Sequence, residues 1–338
     1  MKTIQIGNKQ IGAGHTYIIA EIGSNHTRDI EIAFAHIDAA VECGADAVKF
    51  QSLQLNELYH KPSAEITELH RQIDLPEEWH QPLMDYCNQK GVDFFSAPTY
   101  LKSVDILEQT GVKLYKLASA QIGTFPQIVR KVAALQKPVI LSTGLVNQDA
   151  LDRVMEIFRE EGNDQIIILH CNSIYPAPYD RLNLPIINQY RERYGVQIGF
   201  SDHTEDSTGA IAAVALGATV LEKHFTLSRR LPTPDAPFAL EPDEMKNYIS
   251  EIRKTEKAMV FRERSDIQPE EAAFKQRILY RLILKNSVSK GAQIGFADVD
   301  FLRYPEGVDA RDFFNAGNKV TALTDLQPGL INPQNIEF

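Results

Sequence analysis

The feature that most constrains this fold is an eightfold alternation along the chain. Short apolar runs at Tyr17–Gly23, Asp46–Gln51, Val92–Ala97, Lys113–Ser119, Pro138–Thr143, Gln165–Cys171, Val196–Asp202 and Ala218–His224 are separated by longer stretches with helical periodicity. Runs that are almost continuously apolar are what parallel strands covered on both faces require. The helical stretches are Ile30–Cys43, Glu77–Lys90, Lys102–Thr110, Phe125–Leu135, Gln148–Arg159, Leu182–Tyr194, Ser207–Leu216 and Pro242–Val260. Asp29, Thr124 and Asp206 stand where N-caps are expected. Gly44, Gly91, Gly111, Gly195 and Gly217 stand just past helix ends, where a left-handed residue closes the last turn. Eight strand–helix units predict an α/β chain folded as a (β/α)8 TIM barrel over residues 1–260, rather than an open sheet.

The polar residues suited to chemistry gather at one end of the apolar runs. Glu21, Lys49 with Gln51, Ser96, Lys116 with Ser119, Ser142 with Thr143, His170, Ser201 with His203, and Glu222 with His224 all lie at or near the C-terminal end of a run. In a barrel those ends form the face that carries chemistry. Scattered polar residues would not gather there.

After about Phe261 the pattern changes. A charged stretch reads as a linker over 261–276, and residues 277–338 read as short strands and turns. That tail is expected to be a small β-rich accessory domain, near the lower size limit for independent folding. The net charge of −10 argues against a chain that wraps nucleic acid or an anionic membrane. Cys43, Cys87 and Cys171 are widely spaced and form neither a disulfide framework nor a zinc pattern. The N-terminus lacks the apolar core of a signal peptide, and no apolar run approaches a membrane span. A cytoplasmic protein is expected.

His203 and His224 end adjacent strands, so their imidazoles should lie together at the barrel mouth. That arrangement suits a divalent metal, with Asp202 or Glu222 as an outer partner; the plainer reading is two histidines in a polar mouth. Lys49 and Lys116 interrupt apolar strands, where a lysine is costly unless paired. Two of them facing one mouth point first to a cradle for a multiply charged anion, with Ser119, Ser142 and Ser201 as neutral donors. A Schiff-base lysine is the second reading, and pairing with a barrel carboxylate such as Glu21 the third. Asp235 follows His224 in the proline-stiffened run Leu231-Pro232-Thr233-Pro234-Asp235, and Tyr175 lies in the stiffened run Ile174-Tyr175-Pro176. Both suit a sugar; an ordinary turn and a surface tyrosine are the alternatives.

These residues fall in stretches that resemble the sialic acid synthase family along nearly the whole chain. The stretches are Glu21-Ile22-Gly23-Ser24-Asn25-His26, Val48-Lys49-Phe50-Gln51, Tyr115-Lys116-Leu117-Ala118-Ser119, Ile140-Leu141-Ser142-Thr143-Gly144, His170-Cys171-Asn172-Ser173-Ile174-Tyr175-Pro176, Gly199-Phe200-Ser201-Asp202-His203-Thr204 and Leu221-Glu222-Lys223-His224-Phe225-Thr226. The tail resembles the family's antifreeze-like (SAF) domain through Ser287-Val288-Ser289-Lys290-Gly291 and Leu302-Arg303-Tyr304-Pro305-Glu306-Gly307.

The resemblance implies a phosphoenolpyruvate-dependent synthase that condenses the donor with an amino-sugar aldehyde. In it Lys49, Lys116, Ser119, Ser142 and Ser201 would bind phosphoenolpyruvate, and His203 and His224 would hold Mn2+ or Mg2+. Glu21, Gln51, Asn172, Tyr175 and Asp235 would serve the sugar. Arg303 would reach it from a neighbouring subunit, which makes a domain-swapped homodimer the expected unit. The chain departs from the family pattern at Gln121, where a carboxylate is usual, at Ala97, where a hydroxyl is usual, at Thr233, where glycine is usual, and at Leu302-Arg303-Tyr304. Gln121 is uncharged and can only orient a water, which leaves a metal-bound hydroxide or Glu21 as the candidate base. A non-catalytic sugar-phosphate sensor is the competing reading these departures raise; the paired lysines and histidines oppose it.

Overall fold

In a computed structural model of the chain, which describes residues 1–263 and 267–338, every apolar run contains a strand. The strands are β1 Tyr17–Gly23, β2 Ala47–Ser52, β3 Asp93–Pro98, β4 Tyr115–Leu117, β5 Val139–Ser142, β6 Ile166–Cys171, β7 Gln197–Asp202 and β8 Val220–His224. All their ladders are parallel, in the order β3-β2-β1-β8-β7-β6-β5-β4. That is chain order taken round a ring. The two end strands, β3 and β4, lie side by side, so the sheet curls into the expected barrel. Each of the seven residues of β1 is buried, because one face fills the barrel and the other meets helices.

The helices form where the sequence encodes them. Helix Ile30–Cys43 starts at Asp29, whose carboxylate accepts from the Glu31 N–H, and stops at Gly44 with φ 89°. Helix Pro126–Ala133 starts from Phe125, not from Thr124, because Ser119–Thr124 is itself a short helix ending on that threonine. For the same reason β4 is shorter than its apolar run. Asp206 lies one residue before the cap of helix Thr208–Ala215, yet its carboxylate accepts from the Thr208 N–H at 2.8 Å. Helix Ala64–Ile73, inserted after β2, has no counterpart among the expected elements; Ser63 caps it through the Ile66 N–H.

A second unanticipated element closes the barrel floor. Ile4–Ile6 and Lys9–Ile11 form an antiparallel hairpin through Gly7-Asn8, with Gly7 at φ 57°. Ile4, Ile6 and Ile11 pack with Tyr17, Ala47, Leu114 and Val220, residues at the beginnings of the barrel strands, and with Ile19, Ile140 and Ile167 just above them.

The chain divides into two compact units, Met1–Val260 and Phe261–Phe338. The second contains helix Pro269–Ile278, which occupies part of the stretch read as a linker; residues 264–266 of that stretch lie outside the described residues. Beyond it are two three-stranded antiparallel sheets. One places Tyr280–Leu284 between Val299–Arg303 and Gly329–Leu330, the other Val320–Ala322 between Gln293–Ile294 and Ile336–Glu337. Leu282, Leu284, Ile294, Phe313, Val320 and Ile336 are among its core residues, and Arg281 pairs with Asp309 at 3.1 Å. Among the described residues no helix is long and apolar enough to cross a membrane. All three cysteines are free and buried.

Candidate active site

The C-terminal ends of the strands open into a cavity of about 400 Å³. Its walls carry Glu21, Lys49, Gln51, Lys116, Ser119, Ser142, Tyr175, Ser201, His203, His224 and Asp235, with Glu222, Cys171, Ala118, Pro234 and Phe238 completing them. Strand alternation explains the set. Lys49 and Gln51 face the mouth while Phe50 between them joins the outer apolar layer, and Glu222 and His224 likewise flank Lys223. A smaller cavity of about 240 Å³, lined by residues such as Thr16, Thr219 and Glu256 at the strand beginnings, contains none of these side chains.

Glu222 is the hub of the charged wall. Its Oε1 lies 3.7 Å from Lys49 Nζ and 3.5 Å from Lys116 Nζ, and accepts from the Ser201 hydroxyl at 3.3 Å. Lys49 Nζ also lies 2.6 Å from Glu21 Oε2, so the Lys49–Glu21 pair considered above is present. Burial opposes ionisation of Glu222, but Lys116 and Lys49 hold its carboxyl below the ordinary value. Burial likewise works against the Lys49 charge, and the carboxylates of Glu21 and Glu222 outweigh it and raise its pKa. Lys116 lacks an equal share of that pairing, and burial lowers its pKa. Burial raises Glu21 to about 7 against the pull of Lys49, with Glu222 adding to the rise. The Ser142 hydroxyl and Glu222 Oε2 are buried without a protein hydrogen-bond partner. Buried polar atoms of this kind line surfaces that a polar ligand completes.

The two imidazole centroids are 5.3 Å apart. Burial, with His224 close by, lowers His203 to about 4; burial, with Lys49 close by, lowers His224 to about 3. Both rings are therefore neutral near pH 7, the form that binds a metal. His203 Nδ1 meets the Asn172 carbonyl at 2.6 Å and so donates, which leaves a lone pair on Nε2. His224 Nδ1 is buried without a hydrogen-bond partner; the nearest acid oxygen is Asp235 Oδ2 at 3.9 Å. Among the described residues no three His, Cys, Asp or Glu side chains form a metal cage. Two neutral histidines fit a cation whose other positions are taken by water or substrate oxygens, and do not fit a closed structural site.

Opposite lies a hydrogen-bonding corner built on Gly23. Gln51 Nε2 donates to Glu21 Oε1 at 2.9 Å. A Cβ at Gly23 would stand 2.6 Å from Asp235 Oδ2, 3.3 Å from Glu21 Oε1 and 3.4 Å from Gln51 Nε2, and the backbone there has φ 56°. Only glycine leaves room for the three side chains to converge. The Asp235 loop is pinned by Thr233, whose hydroxyl donates to Asn25 Oδ1 at 2.5 Å, while Asn25 Nδ2 donates to the Phe225 carbonyl. Thr233 thus holds the loop and does not line the cavity. The Tyr175 ring lies 4.2 Å from His203 and 4.8 Å from Phe238, giving the cavity one aromatic side.

Two expected site residues of the first unit are not on these walls. Gln121 sits in helix Ser119–Thr124 with its Oε1 buried and unpartnered, outside the cavity lining. Helix formation directly after Ser119 carries it away from the mouth. Asn172 acts through its backbone carbonyl on His203, and its amide donates to the Arg181 carbonyl at 2.9 Å. Arg303 belongs to the second unit, where its guanidinium stands 5.4 Å over the Tyr280 ring. Among the polar strand ends, His170 faces outward, stacked on Phe200 and bonded to the Leu182 carbonyl, and Ser96 bonds Ser52. Ala118, Cys171, Glu222, Pro234 and Phe238 are the lining residues outside the expected site set, Glu222 having entered only as an outer partner of the histidines. For Glu222 the two-residue spacing to His224 was a sufficient signal.

Comparison with known proteins identifies the family. The model of the NeuB family matches residues 36–264. Over 269 residues the chain is 42% identical to the spore coat polysaccharide biosynthesis protein SpsE of Bacillus subtilis, covering 76% of this chain and 72% of SpsE. Over 329 residues it is 33% identical to the N,N'-diacetyllegionaminic acid synthase of Legionella pneumophila, covering 91% of each. The crystal structure of the N-acetylneuraminic acid (sialic acid) synthetase of Leptospira borgpetersenii, solved with citrate, superposes with a TM-score of 0.75 at 29% identity, over 82% of this chain and 96% of that one. By its sequence, its barrel and its cavity, the chain belongs to the NeuB family.

Proposed function

We propose that this protein condenses phosphoenolpyruvate with the open-chain aldehyde of an N-acyl amino sugar and releases phosphate. The acceptor is N-acetylmannosamine or a relative leading to a nonulosonic acid of the neuraminate, legionaminate or pseudaminate type. The observation that carries the reading is the convergence of two buried lysines, three serine hydroxyls and two neutral histidines on one cavity. The synthases among its relatives support it.

Lys49 and Lys116 neutralise the carboxylate and phosphate of the donor, with Ser119, Ser142 and Ser201 as neutral donors. Gln51, Tyr175 and Asp235 hold the acceptor, and Asn172 orients His203. His203 and His224 would hold Mn2+ or Mg2+, which when bound would polarise the acceptor aldehyde as a Lewis acid. The C2–C3 double bond of phosphoenolpyruvate supplies the electron pair for the new bond from C3 to the aldehyde carbon, whose oxygen ends as a hydroxyl. C2 is left electron-poor and takes a water oxygen. Glu21, whose carboxyl near 7 suits proton exchange at neutral pH, takes one water proton and returns a proton to the former aldehyde oxygen, and the second water proton leaves with the phosphate. The bond from C2 to the phosphate oxygen then breaks, giving inorganic phosphate and a 2-keto-3-deoxy sugar acid. Gln121 takes no part. The second unit, through Arg303, serves the barrel of a second copy in a domain-swapped homodimer, and the enzyme works in the cytoplasm.

The test is phosphate release from phosphoenolpyruvate with Mn2+ across a panel of N-acyl amino sugars, with a chelator control. Release that needs both sugar and metal supports the proposal; release with neither requirement refutes it. The lowered pKa of Lys116 favours one second reading, a Schiff-base aldolase. Borohydride trapping of a pyruvate adduct on Lys116 would establish that reading instead.

A further inference from the structure

Behind the two histidines, on the side of the sheet away from the cavity, lies a buried charge network that the proposed reaction does not use. Lys223, between Glu222 and His224, is 1% exposed. Its ammonium donates to the Thr204 carbonyl, lies 3.4 Å from Asp202 Oδ2 and stands 5.6 Å over the Tyr248 ring of helix Pro242–Ala258. Asp202, between Ser201 and His203, accepts at Oδ1 from the Thr204 N–H at 2.9 Å and the Thr204 hydroxyl at 2.7 Å. Its Oδ2 accepts from the Tyr248 hydroxyl at 3.2 Å.

His203 lies one residue past the end of β7, outside its ladders, with its carbonyl accepting from the Ala177 N–H at 2.8 Å. The Asp202 carboxylate closes a tight turn around it by gripping the next residue. Lys223 ties that same residue to β8, one position before His224. The two histidines are therefore joined from behind through a buried lysine and aspartate, an arrangement costlier to bury than an apolar pair. We infer that Asp202 and Lys223 are positioning residues, which fix the spacing of the His203–His224 pair and with it the affinity for a divalent cation. The inference rests on the metal reading proposed above.

The test is titration of the full-length protein with Mn2+ alone, following free Mn2+ by electron paramagnetic resonance. Binding of phosphoenolpyruvate is measured separately, by calorimetry without metal. Lys223→Met is expected to weaken Mn2+ binding roughly 10- to 100-fold. Lys223→Gln, which keeps a donor for the Thr204 carbonyl, recovers part of it. Phosphoenolpyruvate affinity stays within about 2-fold, because the lysine cradle is untouched. Unchanged Mn2+ affinity in folded Lys223→Met overturns the inference, as does a parallel loss of both affinities. If Lys223→Met does not fold, Tyr248→Phe decides: Mn2+ binding weakened about 3- to 5-fold supports the inference, and equal affinity overturns it. A wild-type protein that binds no Mn2+ overturns the metal assignment itself, and the inference with it.

Discussion

Replacing Gly23 with alanine tests the corner where the acceptor is proposed to bind. The new Cβ would stand 2.6 Å from Asp235 Oδ2, so restoring a 3.4 Å contact moves that oxygen by about 0.8 Å. Displacements near 1 Å at a positioning group cost about 100-fold in rate. The φ of 56° adds about 1–2 kcal/mol of strain for any residue with a Cβ. The expected result is a kcat/KM for the acceptor lowered roughly 10- to 100-fold. The KM for phosphoenolpyruvate stays within about 2-fold, since neither lysine is touched. Steady-state phosphate release at varied acceptor and varied donor measures both, and a thermal melt measures the strain. A double-mutant cycle isolates the route: in an Asp235→Ala background, Gly23→Ala should cost little more. An unchanged acceptor kcat/KM in the single variant would refute the reasoning. An equal loss for donor and acceptor would replace it with general disruption of the mouth.

Lys116→Met should weaken phosphoenolpyruvate binding by about 100-fold or more in calorimetry, since it removes a buried cation from the cradle. Native affinity in that variant would disprove the cradle. His203→Asn and His224→Asn should each abolish activity that a chelator removes and Mn2+ restores, while leaving donor binding measurable. Glu21, at about 7 in the fold, keeps a proton there that an unfolded chain gives up near 4.5. The stability of the ligand-free protein therefore falls as pH rises through that window, and Glu21→Gln should flatten the slope in urea melts at about pH 5 and about pH 8. Ile6→Ala, at a fully buried site on the barrel floor, should cost about 2–4 kcal/mol with donor affinity unchanged.

Much of the barrel was legible because its strands are read by continuous hydrophobicity and its helices by caps. β1 and helix Ile30–Cys43 carry the expected bounds to the residue. Elements with weaker local signals were harder to read. Helix Ala64–Ile73 is a short insertion that buries only His70 and Ile73, although its Ser63 cap was a usable sign, and the hairpin at Ile4–Ile11 is short, although its Gly7-Asn8 turn between alternating isoleucines was another. In the site, residues within strands went where alternation sent them, as Lys49, Lys116, Ser201 and His224 did. Residues past strand ends did not all follow. Gln121 was carried off by a helix turn that apolar spacing did not announce, and Thr233 turned to Asn25. Backbone geometry beyond a strand is set by tertiary partners, which a local pattern does not contain.

The hairpin floor bears on when the barrel can close. Ile4, Ile6 and Ile11 precede every barrel strand in the chain, yet part of their packing surface is Val220, on the last strand. The Lys2 carbonyl likewise waits for the Gln197 side chain, which donates to it at 2.9 Å, and the Tyr17 N–H for the Thr219 carbonyl. The hairpin segment therefore stays without its full set of partners until the last barrel strand has been made. Contacts of such long sequence separation slow folding. During synthesis the early isoleucines form an exposed sticky end, whose burial marks completion of the ring.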